Sequence, residues 1–330
     1  MSELRQDMVS GDWIIMAPER AKRPHDFLQS VPPRKPSPIE TCPFEDLIHT
    51  GNWPPVSASP DIDHWNAVII PNKYPALVHG PLCAQQFSQG PYTVMAGIGR
   101  HELLITRSHS DPLWKLSHDD AVRAFSLLQE HYRTLARDEC LSYTLTFFNW
   151  GPTAGASLFH PHYQILTLPI IPPDVEHSLQ GARRYFQAHQ QCVHCAMILF
   201  EQHHRVRIIA ENEHAIAFTP FVSRGAFELR VFPKAHFPFF EETPSDVLSG
   251  FLEILRVALS RMSENLNDPD RNFFIHTAPL HQHDLYGYYH WHLEIIPKFS
   301  TIGGFELGTG IDINVVDPDI AADIIRHGLS

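Results

Sequence analysis

The chain has 330 residues, enough for one large domain or two modest ones that each bury a core. It carries 25 basic and 37 acidic side chains, and the net charge of -12 argues against nucleic acid or an anionic membrane as its main partner. No apolar run approaches the ~20 residues of a membrane span, and the first residues lack the apolar core of a secretory signal. These features predict a cytoplasmic protein with no nucleic-acid and no membrane partner.

The first half of the chain contains an ordered set of elements that ends in paired histidines. A cysteine motif, CPFE, begins at Cys42, and the predicted strand GRHELLITRSH ends at His109. The sequence SHDD at Ser117 is a capping-box pattern and predicts the start of a helix. An aromatic strand, YTLTFFNW, a glycine-rich loop and the strand HPHYQILTLP, which starts at His160, complete the set.

The second half repeats this order. It runs from CVHC at Cys192 through GAFELRVFPKAH, a helix opened by TPSD with Pro244 at its first helical position, and NFFIHTAP, to HWHLEIIP at His290. The connection between the halves begins with two prolines, IIPPD, and continues as a polar helical stretch. The repeat predicts two similar halves, residues 1–185 and 186–330.

Metal-ligating residue types occur at matching places in the two halves. Structural zinc prefers four tetrahedral ligands from Cys, His and carboxylates. The five cysteines form no disulfide-rich pattern, and the closely spaced pair in CVHC suits a metal better than a bridge. The alternative for Glu45 is a solvated loop carboxylate. The two predicted zinc sites are Cys42, Glu45, His109 and His160 in the first half and Cys192, Cys195, His236 and His290 in the second, where iron is an alternative metal.

The strand that starts at His160 carries residues suited to phosphoryl chemistry. Residues two apart on a strand point to the same face, so His160, His162 and Gln164 lie together. If His160 binds metal, His162 is left as a nitrogen nucleophile that can form a covalent phosphoryl intermediate near neutral pH. Gln164 can donate a hydrogen bond to a phosphoryl oxygen but cannot protonate a leaving group. This combination favours nucleotidyl transfer between phosphate esters, because phosphates depart as anions.

The reacting site is assigned to the first half because the second half has Glu294 where the first has Gln164. A carboxylate at that position would repel a phosphate. The loop NWGPTAGAS, Asn149 to Ser157, precedes the paired histidines and offers backbone amides and hydroxyls of the kind that surround phosphates. It matches neither a P-loop nor a dinucleotide fingerprint.

The chain resembles the galactose-1-phosphate uridylyltransferases of the histidine-triad superfamily and the related ADP-glucose phosphorylases. The resemblance spans nearly the whole chain and rests on PERAKRP, CPF, PNKYPAL, FFNWGPTAGAS, HPHYQ, PKAH, YHWHLEIIP and GGFELGTG. It implies an α/β (α+β) fold of two tandem histidine-triad-like halves that share a broad, mainly antiparallel sheet with flanking helices, and a homodimer. It also implies transfer of a nucleoside monophosphate from a nucleotide sugar to a sugar 1-phosphate through a nucleotidyl-histidine.

The resemblance further implies roles for individual residues. His162 matches the family nucleophile, and Gln164 matches the glutamine that holds the phosphoryl oxygens. Glu306 matches a hexose-contacting glutamate that the family contributes across the dimer, whereas Asp312 lies in a region that the family uses for sugar selection. Both metal sites match those of the family, with Glu45 in place of the usual cysteine. The other matched positions are Arg20 and Arg23 near the sugar phosphate, Asn72 at the ribose, and Asn149 and Ser157 at the phosphate.

Three functions fit these residues. The leading hypothesis is a UDP-glucose:hexose-1-phosphate uridylyltransferase of galactose metabolism, with both base and sugar taken from the resemblance. An ADP-sugar phosphorylase, which would pass the adenylyl group to inorganic phosphate, shares every catalytic residue named above. A non-catalytic, zinc-stabilised nucleotide-binding protein would require His162 to be idle.

Overall fold

The computed structural model describes residues 1–20, 34 and 36–328 of the chain. Arg23, one of the predicted substrate contacts, lies outside these residues. The strands of the described part are β1 (Glu3–Gln6), β2 (Trp13–Met16), β3 (Ser57–Ser59), β4 (Ala67–Pro71), β5 (Gln86–Gln89), β6 (Tyr92–Met95), β7 (Arg100–Thr106), β8 (Tyr143–Trp150), β9 (His162–Leu168), β10 (Ile208–Glu211), β11 (Ala215–Phe218), β12 (Leu229–Pro233), β13 (Arg271–His276), β14 (His292–Pro297) and β15 (Ile313–Asn314). Its α-helices are α1 (His118–Leu135), α2 (Pro173–His189), α3 (Val193–His204), α4 (Ser245–Asn265), α5 (Gly304–Thr309) and α6 (Pro318–His327).

One antiparallel sheet of ten strands joins the two halves. The order β3-β4-β7-β9-β8 in the first half continues as β13-β14-β12-β11-β10 in the second, so the two orders mirror each other about the β8–β13 pair. In that central pair Phe148 lies opposite Phe273, and their rings stack with centroids 4.9 Å apart. The predicted fold of two similar halves sharing a broad antiparallel sheet is confirmed.

The alternation of side chains along the strands divides the sheet into two different faces. On β9, Tyr163 and Ile165 are buried in the main apolar core, which also contains Phe125 of α1 and Phe251 of α4. Each such side chain contributes about 1.5–3 kcal/mol when it is fully buried. Residues at the other alternate positions of β9 point to the opposite face, which has its own small apolar cluster. Helices α1 and α4 therefore cover one face, and the paired histidines lie on the other, where α3 packs against the second half through Ile198.

The starts of the two long helices differ. The Ser117 side chain accepts a hydrogen bond from the N–H of Asp120, which confirms the predicted cap of α1. The prediction that Pro244 is the first helical residue of α4 is wrong, because Pro244 is its N-cap and no side chain caps the helix. The N–H of Thr243 closes the preceding 3-10 turn on Phe240, so this threonine ends one element and does not open the next.

Several smaller elements surround the large sheet. Strands β1, β2 and β15 form a separate sheet, β5 and β6 form a hairpin, and the predicted boundary between residues 185 and 186 falls within α2. A disulfide joins Cys83 and Cys140, a pairing that the sequence analysis did not predict. None of the helices in the described residues is both long and apolar enough to cross a membrane.

Candidate active site

The paired histidines lie at the start of β9, on the sheet face away from α1 and α4. His162 is opposite Ile105 of β7, and Gln164 lies between Leu103 of β7 and Phe147 of β8. Both histidines are buried, with 1% of His160 and 7% of His162 exposed. The small exposed fraction of His162 is significant because a nucleophile must still be reached by substrate.

The His162 ring has a defined tautomer. Its Nδ1 lies 2.9 Å from the carbonyl oxygen of His160, and a carbonyl can only accept a hydrogen bond. Nδ1 therefore carries the proton, and the lone pair is on Nε2. Burial lowers the pKa of His162, while the hydrogen bond to the His160 carbonyl acts in the opposite direction. The result is a neutral imidazole whose nucleophilic nitrogen has a fixed position.

The four predicted ligands of the first metal site meet in one cluster, with all ligand atoms within 4.8 Å of one another. Cys42 Sγ lies 3.6 Å from His160 Nδ1. Glu45 Oε1 lies 3.0 Å from His109 Nδ1 and 3.2 Å from His160 Nδ1. These separations approach the edges of about 3.3–3.8 Å that a zinc-centred tetrahedron would have. The Glu45 carboxylate is thus turned into the cluster, with 26% of its side chain still exposed.

The second predicted site is also assembled, from Cys192, Cys195, His236 and His290. Cys195 Sγ lies 3.3 Å from His236 Nδ1 and 3.4 Å from His290 Nδ1. A hydrogen bond from Cys195 lowers the pKa of the Cys192 thiol, and the neighbouring histidines act in the same direction. The same hydrogen bond raises the pKa of the Cys195 thiol, so the surroundings favour the thiolate at Cys192. The thiolate is the form of cysteine that binds a metal.

The histidines of both clusters share a hydrogen-bonding pattern that fits metal ligation. In each of the four rings Nδ1 points into the cluster, while Nε2 lies within hydrogen-bonding distance of a backbone carbonyl. Because the carbonyl accepts from Nε2–H, the Nδ1 lone pair is directed at the other ligands, an arrangement that is typical of zinc-bound histidine. The Nε2–carbonyl pairs are His109 with Ser37 (2.9 Å), His160 with Thr106 (2.8 Å), His236 with Gly287 (3.0 Å) and His290 with Pro233 (3.0 Å).

The predicted phosphate loop forms a tight turn whose backbone donors are already used. The N–H groups of residues 154, 155 and 156 bond to carbonyls inside the turn, and the N–H of Thr153 donates to Asp270. Gly151 has a φ of +90°, and a Cβ there would lie 1.9 Å from an Asp270 carboxylate oxygen. The prediction that backbone amides of this loop surround a phosphate is therefore wrong for residues 153–156. Asn149, at the end of β8, is half-buried, and Ser157, just after the turn, is exposed.

The other predicted substrate contacts are dispersed. Asn72 directly follows β4. His101 contacts both Asn72 and Gln164, because its Nε2 lies 3.1 Å from Asn72 Nδ2 and 3.0 Å from Gln164 Oε1. Arg20 is an exposed residue that ends a short 3-10 helix. Glu306 lies in α5 and accepts the N–H of Gly303. Within residues 36–328, no hydrogen bond or ion pair connects Glu306 with His162 or Gln164.

The second half contains a cluster that sequence reasoning missed. His276, His292 and Glu294 bring ligand atoms within 4.8 Å of one another, and His276 Nε2 lies 3.0 Å from Glu294 Oε2. Burial raises the pKa of Glu294, but the charges of Arg230 and His276 outweigh it and lower that pKa overall. The neighbouring guanidinium already neutralises the carboxylate, which weakens the case for an added cation. The available sequence signal was a histidine at the end of the aromatic strand NFFIH.

Comparisons with known proteins agree with this fold and site. Residues 1–172 match the family model of the galactose-1-phosphate uridyl transferase N-terminal domain, and residues 99–330 match a domain family of unknown function, DUF4921. ADP-glucose phosphorylase from Arabidopsis thaliana is 34% identical over 98% of this chain and 92% of its own. Galactose-1-phosphate uridylyltransferase from Thermotoga maritima is 26% identical over 99% of this chain and 98% of its own. A crystal structure of the ADP-glucose phosphorylase from Arabidopsis thaliana with bound ADP-glucose has a TM-score of 0.83 at 29% identity and covers 100% of this chain and 99% of its own.

Two histidine-triad-like halves around one sheet, together with these relatives, define a class of enzyme that transfers nucleotidyl groups between phosphate compounds of sugars. The HPHYQ strand occurs in one half alone, as HWHLE replaces it in the other. The chain belongs to the galactose-1-phosphate uridylyltransferase family, which its match over residues 1–172 and its 34% identical relative establish.

Proposed function

We propose that this chain transfers a nucleoside monophosphate from a nucleoside diphosphate sugar through a covalent intermediate on His162. The observation that carries the proposal is the direction of the His162 ring, whose Nδ1–H donates to the His160 carbonyl and leaves Nε2 as nucleophile. Attack of Nε2 on the α-phosphorus forms the N–P bond as the bond to the sugar phosphate breaks. The carbonyl of His160 then stabilises the positive ring.

Transfer is completed by a second displacement at the same phosphorus. An oxygen of the acceptor attacks the α-phosphorus, and the N–P bond breaks to regenerate neutral His162. The sugar 1-phosphate that left in the first step is an anion at neutral pH and needs no proton, which agrees with an amide at position 164. Gln164 and Asn149 donate hydrogen bonds to the non-bridging oxygens, where negative charge must be stabilised.

Adenine as the base and inorganic phosphate as the acceptor are the favoured assignment. The support is the higher identity to the ADP-glucose phosphorylase, 34%, than to the Thermotoga uridylyltransferase, 26%. The second candidate is the uridylyltransferase that uses UDP-glucose and a hexose 1-phosphate, and the family match over residues 1–172 supports it. Both reactions use the same chemistry at His162.

Several further features are part of the proposal. Each of the two ligand clusters holds a zinc ion, with iron as an alternative at the second, and the ions stabilise the surrounding structure. No step of the transfer passes through them. The enzyme is a cytoplasmic homodimer with halves at residues 1–185 and 186–330. Arg20, Arg23 and Asn72 bind the sugar phosphate and ribose, Ser157 binds the phosphate, and Glu306 contacts the hexose of the partner's site.

The test is to incubate the protein with ADP-glucose or UDP-glucose labelled at the α-phosphorus. We expect ADP-glucose to leave label on the protein and release glucose 1-phosphate, and added inorganic phosphate to discharge the label as ADP. Discharge by galactose 1-phosphate after labelling from UDP-glucose would support the second candidate.

His162→Ala should abolish labelling, whereas His64→Ala, at a mostly exposed histidine, should not change it. Binding of both nucleotide sugars without any labelling would contradict the covalent mechanism and favour a non-catalytic nucleotide-binding protein.

A further inference from the structure

The phosphoryl group at His162 must be held mainly by side chains, because the backbone donors of residues 153–156 are already used. Of the three predicted phosphate contacts, Ser157 offers a hydroxyl, whereas Gln164 and Asn149 are carboxamides. A carboxamide presents either an NH2 group or an oxygen, according to how it is turned about its last bond. An oxygen turned towards a phosphoryl group would repel it, so the orientation of each amide decides whether it stabilises the transition state.

The orientation of Gln164 is determined by His101 of β7. The N–H of Ala76 donates to His101 Nδ1 over 3.0 Å, so the neutral ring carries its proton on Nε2. His101 Nε2 lies 3.0 Å from Gln164 Oε1 and 3.1 Å from Asn72 Nδ2. Asn72 Nδ2 is itself a donor, so of these two atoms the Gln164 oxygen is the one that can accept the hydrogen bond from Nε2–H. The oxygen of Gln164 is therefore engaged, and its NH2 group is turned away from His101.

The orientation of Asn149 is determined by Asn272 of β13. Asn272 Nδ2 donates to Asn149 Oδ1 over 2.8 Å and to the carbonyl of Ala154 in the loop over 2.8 Å. The NH2 group of Asn149 is thus left on the loop side, where a Cβ added to Gly155 would lie 3.5 Å from it. Asn272 belongs to the second half, so that half takes part in the site through the β8–β13 pair.

We propose that His101 and Asn272 are positioning residues for nucleotidyl transfer. Each binds the oxygen of one catalytic carboxamide, so that the NH2 groups of Gln164 and Asn149 both face the phosphoryl group. This inference rests on the proposed function of His162. It differs from a structural role because the loss of rate depends on the amides, although His101 also accepts the Ala76 N–H and Asn272 also donates to the Ala154 carbonyl.

The test is a pair of double-mutant cycles, read as the single-turnover rate of nucleotidyl-enzyme formation from ADP-glucose and, in parallel, from UDP-glucose. His101→Phe keeps a ring but removes the donor, and we expect the rate to fall on the order of 10- to 100-fold. In a Gln164→Ala background the same change should alter the rate less than about threefold. Asn272→Leu should likewise lower the rate on the order of 10- to 100-fold when Asn149 is present, and alter it less than about threefold in an Asn149→Ala background. Nucleotide-sugar affinity, measured by calorimetry, should stay within about threefold for the single variants.

Two conservative variants separate positioning from a general loss of structure. His101→Gln retains an NH2 donor and should recover part of the rate lost in His101→Phe. Asn272→Asp has the same shape but accepts hydrogen bonds, so it should turn the Asn149 amide and slow the reaction more than Asn272→Leu. These variants also serve if the larger changes unfold the protein, which thermal unfolding would show.

The outcomes distinguish this inference from the proposed function. If the wild-type protein forms the labelled adduct but the two changes in each cycle are additive, the positioning role is wrong and the covalent mechanism stands. If the wild-type protein forms no adduct with either nucleotide sugar, both proposals are wrong. Loss of rate in His101→Phe without recovery in a folded His101→Gln would also contradict the donor role.

Discussion

The two halves of the sheet carry equivalent strands but surround them differently. At the start of β9 the Nδ1 of His162 is 2.9 Å from the carbonyl of His160, and at the start of β14 the same relation links His292 with His290 at 3.2 Å. His292, however, is packed between the rings of Phe232 and His276, each with its centroid 4.7 Å away. The ring orientation is thus a property of the repeated fold, and the surroundings decide whether a histidine can react.

The residue two positions after the second histidine also differs between the halves: it is Gln164 in the first half and Glu294 in the second. Gln164 lies opposite Leu103, a neutral side chain, whereas Glu294 lies opposite Arg230. In the second half Arg230 also contacts Glu228, and His276 contacts Glu294, so the space is filled by a buried ion cluster. A neutral amide leaves room for a phosphoryl group, and a carboxylate with its cations does not. Under the proposed function, the charge at this position is therefore one of the differences between the half that reacts and the half that is structural.

The largest expected effect is at the equivalent histidines. His162→Ala should lower the rate of nucleotidyl-enzyme formation by on the order of 10⁴-fold or more, because the attacking nitrogen is lost. His292→Ala should leave that rate within about tenfold and act mainly on stability, since a buried, packed ring is replaced by a cavity. Single-turnover labelling and thermal unfolding measure the two effects. Comparable loss of labelling in a folded His292→Ala protein would refute the assignment of the reaction to the first half.

Exchange of the third residues should separate activity from stability. Gln164→Glu places a carboxylate beside the phosphoryl group, and we expect the rate to fall on the order of 10²- to 10³-fold with little change in stability. Glu294→Gln removes a partner of buried Arg230 and should cost about 3 kcal/mol of unfolding free energy, with nearly normal activity. Denaturant unfolding and labelling rates measure the pair. The opposite pattern, with Glu294→Gln inactive and stable, would show that the ion cluster is part of the reacting site.

Gln164→His should change the products as well as the rate. A histidine at this position can give up a proton, so leaving groups other than phosphates become accessible and water competes with the acceptor. We expect the ratio of hydrolysis to transfer to rise at least about tenfold relative to wild type. Chromatography of nucleoside monophosphate against transferred product measures the ratio. An unchanged ratio would contradict the idea that the amide at position 164 restricts the leaving group to phosphates.

The two ligand clusters differ in the number of cysteines, with one in the first half and two in the second. Cys192→Ser should remove about one metal ion per chain and lower the unfolding midpoint by on the order of 5–10 °C, because metal binding contributes to folding free energy. Glu45→Gln should mainly weaken the first ion, so that a chelator removes it at lower concentration. His64→Ala, at a mostly exposed histidine outside both clusters, is the control. Elemental analysis that finds no metal would contradict both sites, and equal content in Cys192→Ser would contradict the second.

The parts of the fold that follow from the sequence are those that depend on local pattern or repetition. Three features could be predicted because their residues lie close together in the chain: the capped start at Ser117, the Cys-x-x-Cys pair and the duplicated paired-histidine strands. The contact between Asn272 and Asn149 spans 123 residues and exists because β8 pairs with β13. The sequence does not show which of ten strands adjoin. The same reason explains why the Cys83–Cys140 disulfide was not predicted.

The prediction that backbone amides of the loop between Asn149 and Ser157 bind a phosphate fails for a different reason. The composition of this loop is typical of phosphate-binding loops, but composition does not show whether its N–H groups are already bonded. Here Asp270, from the other half, accepts the N–H of Thr153, and Asn272 donates to the Ala154 carbonyl. The second half thus holds the loop, whose N–H groups at residues 153–156 are already bonded.

The smallest expected effect concerns Glu306 and a second copy of the chain. Its carboxylate accepts the Gly303 N–H, and the exposed apolar side chains of Ile302, Phe305 and Leu307 lie around it, as expected for a surface that another molecule covers.

If Glu306 completes the partner's site, mixing inactive His162→Ala with inactive Glu306→Ala subunits should create hybrid dimers with one intact site. Random exchange makes half of the dimers hybrid, so about a quarter of wild-type activity should return. Each variant exchanged with itself is the control, and mass spectrometry verifies the exchange. Hybrid dimers without activity would place Glu306 in the site of its own chain.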